Sequence, residues 1–156
     1  MLSETIGAGF IRRYEELGAR VRELAEPLTD EQFWTKPFAF GNSFGHLVLH
    51  LTGNLNYYIG AEIAGTGYVR DRDREFTDAA RPAKAEVMKR FNDAVAMVAR
   101  AARAQSEEDW GKSYAAMREE DAANRFNNFL RCATHLHLHV GQMIYLQFAL
   151  LRERTS

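Results

Sequence analysis

The chain has 156 residues, a length typical of one domain with its own hydrophobic core. Its 20 basic and 21 acidic residues leave a formal net charge of −1, so no basic excess attracts it to nucleic acid or anionic lipid. The single cysteine, Cys132, cannot form an internal disulfide, which is typical of a reducing compartment. The first residues lack the apolar core of a signal peptide, and no apolar run approaches the roughly 18 residues of a membrane span. We therefore expect a soluble, cytoplasmic protein that forms one domain over residues 1–156.

Helical periodicity dominates the first part of the chain. Apolar residues at three- and four-residue spacing predict a helix from about 3 to 26, which Pro27 ends. Residues 27–42 read as a connection with a capping box formed by Thr29 and Gln32. Because this connection is too aromatic for a free loop, we expect its rings to cover one end of the molecule: Phe33, Trp34, Phe38 and Phe40.

A second helix is predicted from about 43 to 64, with Ser43 as a plausible N-cap. The polar segment 65–81 follows, and it is longer than two adjacent antiparallel helices need. It suits a crossover between parallel neighbours in a bundle. Its charged run RDRDRE, residues 70–75, is interpreted as a solvated loop.

Two further helices complete the pattern. The third is predicted from about Pro82 to 105, since proline fits the first helical turn. A second long connection follows, in which Trp110 and Tyr114 are expected to pack on the helices. The fourth helix is predicted over 124–152. Four long helices without a convincing alternating strand indicate an all-α class, and the connection lengths indicate one crossover rather than a simple up-down-up-down bundle.

The histidines are the most informative feature. All of them lie on the second and fourth predicted helices: His46, His50, His135, His137 and His139. Residues four apart on an α-helix lie about 40° apart on one face, so His135 and His139 can reach a single ion. Three imidazoles leave a divalent ion with open positions, which is the pattern of a catalytic site more than a structural one. The alternative is that these rings are packed, hydrogen-bonded core residues, and spacing alone leaves both interpretations open.

His137 points about 200° away from His135 and cannot join the same ion. Its own helix face includes Gly141, which costs about 1 kcal/mol relative to alanine within a helix. We interpret this face as core packing, where another helix approaches closely, or as a homodimer seam.

Other candidate residues carry weaker signals. Cys132 is either a buried small residue, which we favour, or a fourth ligand or reactive thiol. Arg131 and Gln142 flank the histidine pair by about one turn and could hold a substrate carboxylate or orient a ligand ring. No spacing places a general base beside the histidines, and the carboxylates considered for that role are Glu62, Asp109, Glu119, Glu120 and Asp121.

Two segments, SFGHLVLHLTGNLNYYIG and THLHLHVGQMIYLQ, resemble the DinB-like (DinB/YfiT) superfamily, for which metal-dependent chemistry is proposed. The similarity is greatest to a branch with an H-L-x-G-N signature, which begins here at His50. In that superfamily one ligand comes from the second helix and two from an H-x-x-x-H pair on the last. The resemblance therefore implies a metal site formed by His50, His135 and His139, while His46 matches no ligand position and is expected beside the site or in its pocket.

The resemblance also implies a four-helix bundle with up-down-down-up topology, a long crossover between helices 2 and 3, and a homodimer. The implied cofactor is one divalent metal ion, nickel or zinc. The implied activity is a metal-dependent transfer of low-molecular-weight thiols, or a hydrolysis, with a pocket that we expect to be lined by Asn54, Tyr57, Tyr58 and Gln142. The alternative is a non-catalytic, dimeric metal-binding or stress-response protein. Neither the substrate nor the existence of catalysis follows from the sequence.

Overall fold

The computed structural model describes residues 2–77, 81–116 and 122–152. Within these ranges the protein is all-helical and has no β-strand, which confirms the all-α prediction. The helices are α1 (Leu2–Ala25), α2 (Asp30–Trp34), α3 (Phe44–Leu55), α4 (Arg74–Thr77), α5 (Lys84–Arg103), α6 (Glu107–Gly111) and α7 (Arg125–Arg152). A π-helical segment, Asn56–Ala61, continues α3.

The four long helices surround the core. α1 contacts α5 and α7, and α3 contacts the same two helices. Fully buried rings fill the space between them, among them Tyr14 from α1, Phe91 from α5 and Phe129 from α7. Burying a side chain of this size contributes about 1.5–3 kcal/mol, so the apolar stripes predicted from the periodicity provide the main stabilisation. As expected, Trp110 packs here, with its ring centroid 5.1 Å from that of Phe129.

Helix ends follow local chemistry and, at α5, a tertiary contact. The predicted capping box is present before α2: Gln32 N donates to Thr29 Oγ1 at 3.1 Å, and Thr29 N donates to Gln32 Oε1 at 3.0 Å. α5 begins at Lys84 rather than at Pro82, because the Lys84 backbone N–H donates to Asp30 Oδ2 at 3.1 Å.

The aromatic connection before α3 covers the core only in part. Phe33 and Trp34 are buried, and the Phe33 ring lies 5.6 Å from that of Phe44. Phe38 and Phe40 are 40% and 78% exposed, so the expectation that all four rings cover the end of the molecule is wrong for these two.

α3 begins as predicted and ends differently. The Ser43 hydroxyl accepts a hydrogen bond from His46 N at 3.1 Å, which confirms the N-cap. The helix was expected to continue to about residue 64, but it changes to a π-helix after Leu55. There the Tyr58 carbonyl accepts from Asn128 Nδ2 at 2.9 Å and from the Tyr114 hydroxyl at 3.0 Å. These partners come from distant parts of the chain, so the local pattern could not reveal the change.

The outer face of α7 contradicts the core-packing interpretation. His137 is exposed, and a Cβ added at Gly141 would meet no described atom within 4 Å. Leu130 and Phe148 on the same face are 46% and 57% exposed. α1 reaches this face at His137, where Arg13 Nη2 lies 3.2 Å from Nδ1, but it leaves these side chains exposed. Core packing is therefore wrong for them, and the homodimer seam stays a prediction.

A bilayer span is also missing from the described helices: none combines the required length with the required apolar character.

Candidate metal centre

The three histidines predicted as ligands meet where α3 packs against α7. His50 Nε2 and His139 Nε2 each lie 3.1 Å from His135 Nε2. One nitrogen from each ring falls within 4.8 Å of the others, and the ring planes are nearly perpendicular, at 81–85°. The structure thus brings the triad together from two helices, while its role in metal binding stays a prediction.

Hydrogen bonds on the far side of two rings determine which nitrogens face inward. His50 Nδ1 lies 2.9 Å from Glu75 Oε2, and His139 Nδ1 lies 2.7 Å from Gln142 Oε1. Both oxygens accept, so each Nδ1 carries the proton and each neutral ring has its lone pair on Nε2. These lone pairs point toward His135 Nε2, which has at most one proton to donate.

The residues present fit a divalent cation. Two inward lone pairs face one nitrogen that has at most one proton, so at least one lone pair has no donor unless a positive centre accepts it. Zinc–nitrogen bonds of about 2.0–2.1 Å in a tetrahedron separate the nitrogens by about 3.3 Å. Two of the three separations here, each 3.1 Å, are close to that value. The group can therefore bind one ion and leave positions open for another ligand.

Burial favours the neutral form of His135 and His139, the form that metal ligands must take. Burial and, to a smaller extent, the charges of His139, His50, Arg131 and Arg70 together lower the pKa of His135 to about 3. Burial also lowers the pKa of His139, although its hydrogen bond to Gln142 opposes that shift.

A buried carboxylate supports the centre, and the sequence interpretation missed it. The Glu75 side chain is 7% exposed and lies between His50 and Arg70, whose Nε donates to Oε1 at 2.7 Å and whose Nη2 donates to Oε2 at 2.9 Å. This two-point ion pair orients the Glu75 carboxylate toward His50 Nδ1. The interpretation of residues 70–75 as a solvated loop is therefore wrong in part. Arg70 and Glu75 turn inward, because α4 packs against α3.

Gly53 makes room for this carboxylate. A Cβ added there would overlap Glu75 Oε1 and approach Glu75 Cδ to 2.8 Å. Glycine is unfavourable in the middle of a helix such as α3. Its presence at position 53 was therefore a sequence signal that another group approaches the α3 backbone closely.

The other predicted carboxylates do not reach the centre. Glu62 is exposed to solvent, and Asp109 accepts from the Ser106 backbone and from Lys112 at the start and end of α6. Glu119, Glu120 and Asp121 lie outside the described residues.

His46 and Cys132 also lie apart from the triad. His46 Nδ1 lies 2.6 Å from Ser43 Oγ, and its ring packs 5.2 Å from the Trp34 ring, so the expectation of a place at the site is wrong. Cys132 is fully buried, with its Sγ 3.7 Å from Asn128 Oδ1. This placement agrees with the favoured interpretation of a buried small residue.

The residues expected to line a pocket divide into two groups. Gln142 borders the cleft beside the triad, whereas Asn54, Tyr57 and Tyr58 are not part of its wall. Asn54 is 3% exposed, and the Tyr58 ring lies beneath the guanidinium of Arg131 at 5.3 Å.

A cleft of about 580 Å³ opens beside His50 and His139. Its other lining residues are Phe38, Phe40, Gly41, Asn42, Leu47, Arg72, Phe76, Gln142, Tyr145 and Leu146. The centre is therefore reached from outside rather than sealed within the core.

Comparison with known families agrees with this arrangement. A sequence model of the DinB superfamily matches residues 13–143, most of the chain. The chain belongs to the DinB superfamily. A comparison with curated proteins gives no match. The family assignment confirms the resemblance that we drew from the two histidine segments, and a three-histidine group in a DinB superfamily protein is compatible with metal binding.

Gly53→Ala should destabilise this DinB superfamily protein. The new Cβ displaces Glu75 and leaves buried charges imperfectly paired, so we expect a loss of about 2–4 kcal/mol in the free energy of unfolding, measured by urea denaturation. Gly9→Ala is the matched control, because it also places alanine within a helix but would meet no described atom within 4 Å. It should stabilise by about 1 kcal/mol. Equal effects of the two substitutions would contradict the close approach.

The metal-free protein should lose stability as the pH falls below about 6.5. The pKa of His135 is about 3 in the folded chain against its ordinary 6.5, so between these values the unfolded state binds more protons. The stabilisation that neutral His135 contributes is complete above pH 6.5 and declines as the pH falls toward about 3. Urea denaturation in the presence of a chelator measures the slope. His135→Gln should reduce the dependence of the unfolding free energy on pH, whereas His137→Gln, at an exposed position, should leave that dependence unchanged. A larger reduction in His137→Gln than in His135→Gln would contradict the assignment of this pH dependence to His135.

Proposed function

We propose that His50, His135 and His139 bind one divalent metal ion, nickel or zinc, and that the protein is a metal-dependent enzyme acting on a small molecule. The observation that carries this proposal is the convergence of three Nε2 atoms within 4.8 Å, two of them with lone pairs directed inward by Glu75 and Gln142. A role in packing alone is disfavoured, because it leaves those lone pairs facing one another.

The open cleft supports catalysis over storage. Three protein ligands leave coordination positions free, and the cleft gives a small molecule access to His50 and His139. When bound, such an ion supplies Lewis-acid chemistry, which lowers the pKa of a water or a thiol and makes it a better nucleophile. We therefore propose a thiol transferase or a hydrolase, with the thiol chemistry taken from the family resemblance.

Within this proposal the protein's own residues hold the ligand rings. Glu75 orients the His50 ring, and Gln142 keeps the proton of His139 on Nδ1. Arg70 holds the Glu75 carboxylate in this orientation through two hydrogen bonds. These contacts hold the imidazole rings in the binding geometry before an ion binds.

We propose that the long helices form a single domain, a four-helix bundle with up-down-down-up topology and a long crossover between α3 and α5. Contacts near both ends of α1 support parallel directions for α1 and α7: Phe10 meets Phe129, and Gln147 Nε2 donates to the Leu24 carbonyl at 2.9 Å. The contact of Ser3 with the Gln105 carbonyl, at 2.6 Å, supports an antiparallel α5.

A second candidate is a non-catalytic, homodimeric metal-binding or stress-response protein. The observation that favours a homodimer is the exposed apolar surface of α7, where Leu130, Leu138 and Phe148 are 46%, 63% and 57% exposed. A cytoplasmic location is proposed from the one cysteine, which is buried and forms no disulfide.

The purified protein should bind one equivalent of zinc or nickel, measured by elemental analysis and calorimetric titration. His50→Ala, His135→Ala or His139→Ala should each weaken binding by about 100-fold or more, since each removes one of three ligands. His137→Ala is the matched control, because it lies between the two ligands on α7 but is exposed. Equal losses in the control and the triad variants, or no metal at all, would remove the proposed centre.

Turnover should depend on the metal. We expect the zinc- or nickel-loaded protein to accelerate either transfer of a low-molecular-weight thiol to an electrophile or hydrolysis of an activated ester. Chelation should abolish the rate, and adding the metal back should restore it. Activity that survives complete removal of the metal would overturn the enzymatic proposal, and metal binding without activity across the screen would favour the non-catalytic candidate.

A further inference from the structure

The cleft beside the triad has an aromatic wall, and this inference about its ligand rests on the proposed function. Phe38 and Phe40 stack with centroids 5.6 Å apart and planes at 10°, although Phe40 is 78% exposed. Phe76 forms the inner wall, with its ring 4.8 Å from that of His50. Exposed, stacked rings at the mouth of a cleft offer flat surfaces to a flat ligand.

The charges of the cleft are one-sided. Arg72 is the only permanently charged side chain among the lining residues, and no carboxylate belongs to the wall. A divalent ion on three neutral imidazoles would add two positive charges, and the charge of Glu75 is already matched by Arg70. The cleft therefore favours an anion.

Arg72 differs from the two arginines beside it. Arg70 is buried on Glu75, and Arg74 pairs with Asp71 at 3.7 Å. Arg72 forms no ion pair with a carboxylate in the described ranges, and its guanidinium lies 5.6 Å from the centroid of the Phe76 ring. Its charge thus remains available at the cleft, next to an aromatic surface.

We propose that the cleft binds a small aromatic carboxylate and that Arg72 determines this specificity. The ring of the ligand packs among Phe38, Phe40 and Phe76, its carboxylate pairs with Arg72, and its reactive end lies toward His50 and His139. A volume of about 580 Å³ is within the range that small-molecule sites occupy. A single guanidinium offers two parallel N–H groups, which match the two oxygens of a carboxylate.

Calorimetric titration of the full-length, zinc-loaded protein tests the charge preference. The probes are phenylacetate and its neutral counterpart phenylacetamide, and we expect phenylacetate to bind about tenfold more tightly or better, as for one charged hydrogen bond. Arg72→Gln should abolish the preference. Arg74→Gln is the matched control, since it removes a neighbouring charge that lies outside the wall, and it should preserve the preference. If Arg72→Gln keeps the preference, the carboxylate binds the zinc instead and the assignment of Arg72 is overturned.

The aromatic wall is tested with cyclohexylacetate, which keeps the charge and loses the flat ring. Phenylacetate should bind more tightly than cyclohexylacetate, and Phe40→Ala should reduce that difference. Phe148→Ala removes an exposed ring that lies outside the cleft and should leave the difference unchanged. No difference between the two acids would overturn the aromatic part of the proposal.

The same titrations, made with and without zinc, distinguish failure of the cleft inference from failure of the proposed metal-dependent enzyme. If zinc binds the triad but phenylacetate and phenylacetamide bind equally, the cleft inference fails and the metal centre stands. If the chain binds no metal yet shows Arg72-dependent binding of phenylacetate, the cleft inference stands and the proposed enzyme fails.

Discussion

The convergence of three imidazole nitrogens on one space is the constraint on which the rest of the structure depends. Hydrogen bonds at Nδ1 direct the Nε2 atoms of His50 and His139 inward, and His135 lies 3.1 Å from both. Without a positive centre at least one inward lone pair has no donor, and burial disfavours relieving this by protonation, since it lowers the pKa values of His135 and His139. A neutral, preorganised group of this kind is ready for a metal ion but poorly suited to simple core packing.

The support behind the triad extends through a buried ion pair. Isolated charges inside a protein are unfavourable, and Glu75 and Arg70 are tolerated because two hydrogen bonds join them and His50 uses the remaining acceptor. Gly53 allows this carboxylate to reach α3. A glycine that weakens the helix locally therefore allows the polar contact that orients a predicted ligand, which links the stability of α3 to the geometry of the centre.

The two sides of α7 have different surroundings. One side packs against α3 and carries the paired histidines, while the other presents Leu130, Leu138 and Phe148 to solvent. The apolar pattern of this helix is nearly continuous around its axis, so periodicity could not separate a core face from an exposed one. Our core-packing interpretation of the face around Gly141 failed for this reason.

The sequence alone determined what depends on neighbouring residues. It predicted the all-α class and the cap at Ser43, and it brought His135 and His139 to one face, because helix geometry and capping are local. The choice of His50 as their partner came from the family resemblance. Only the tertiary structure decided that Glu75 is buried, that Arg70 pairs with it and that Arg72 remains available at the cleft. These three residues belong to one charged run, but their burial and ion pairing differ because α4 packs against α3. No local pattern encodes that contact.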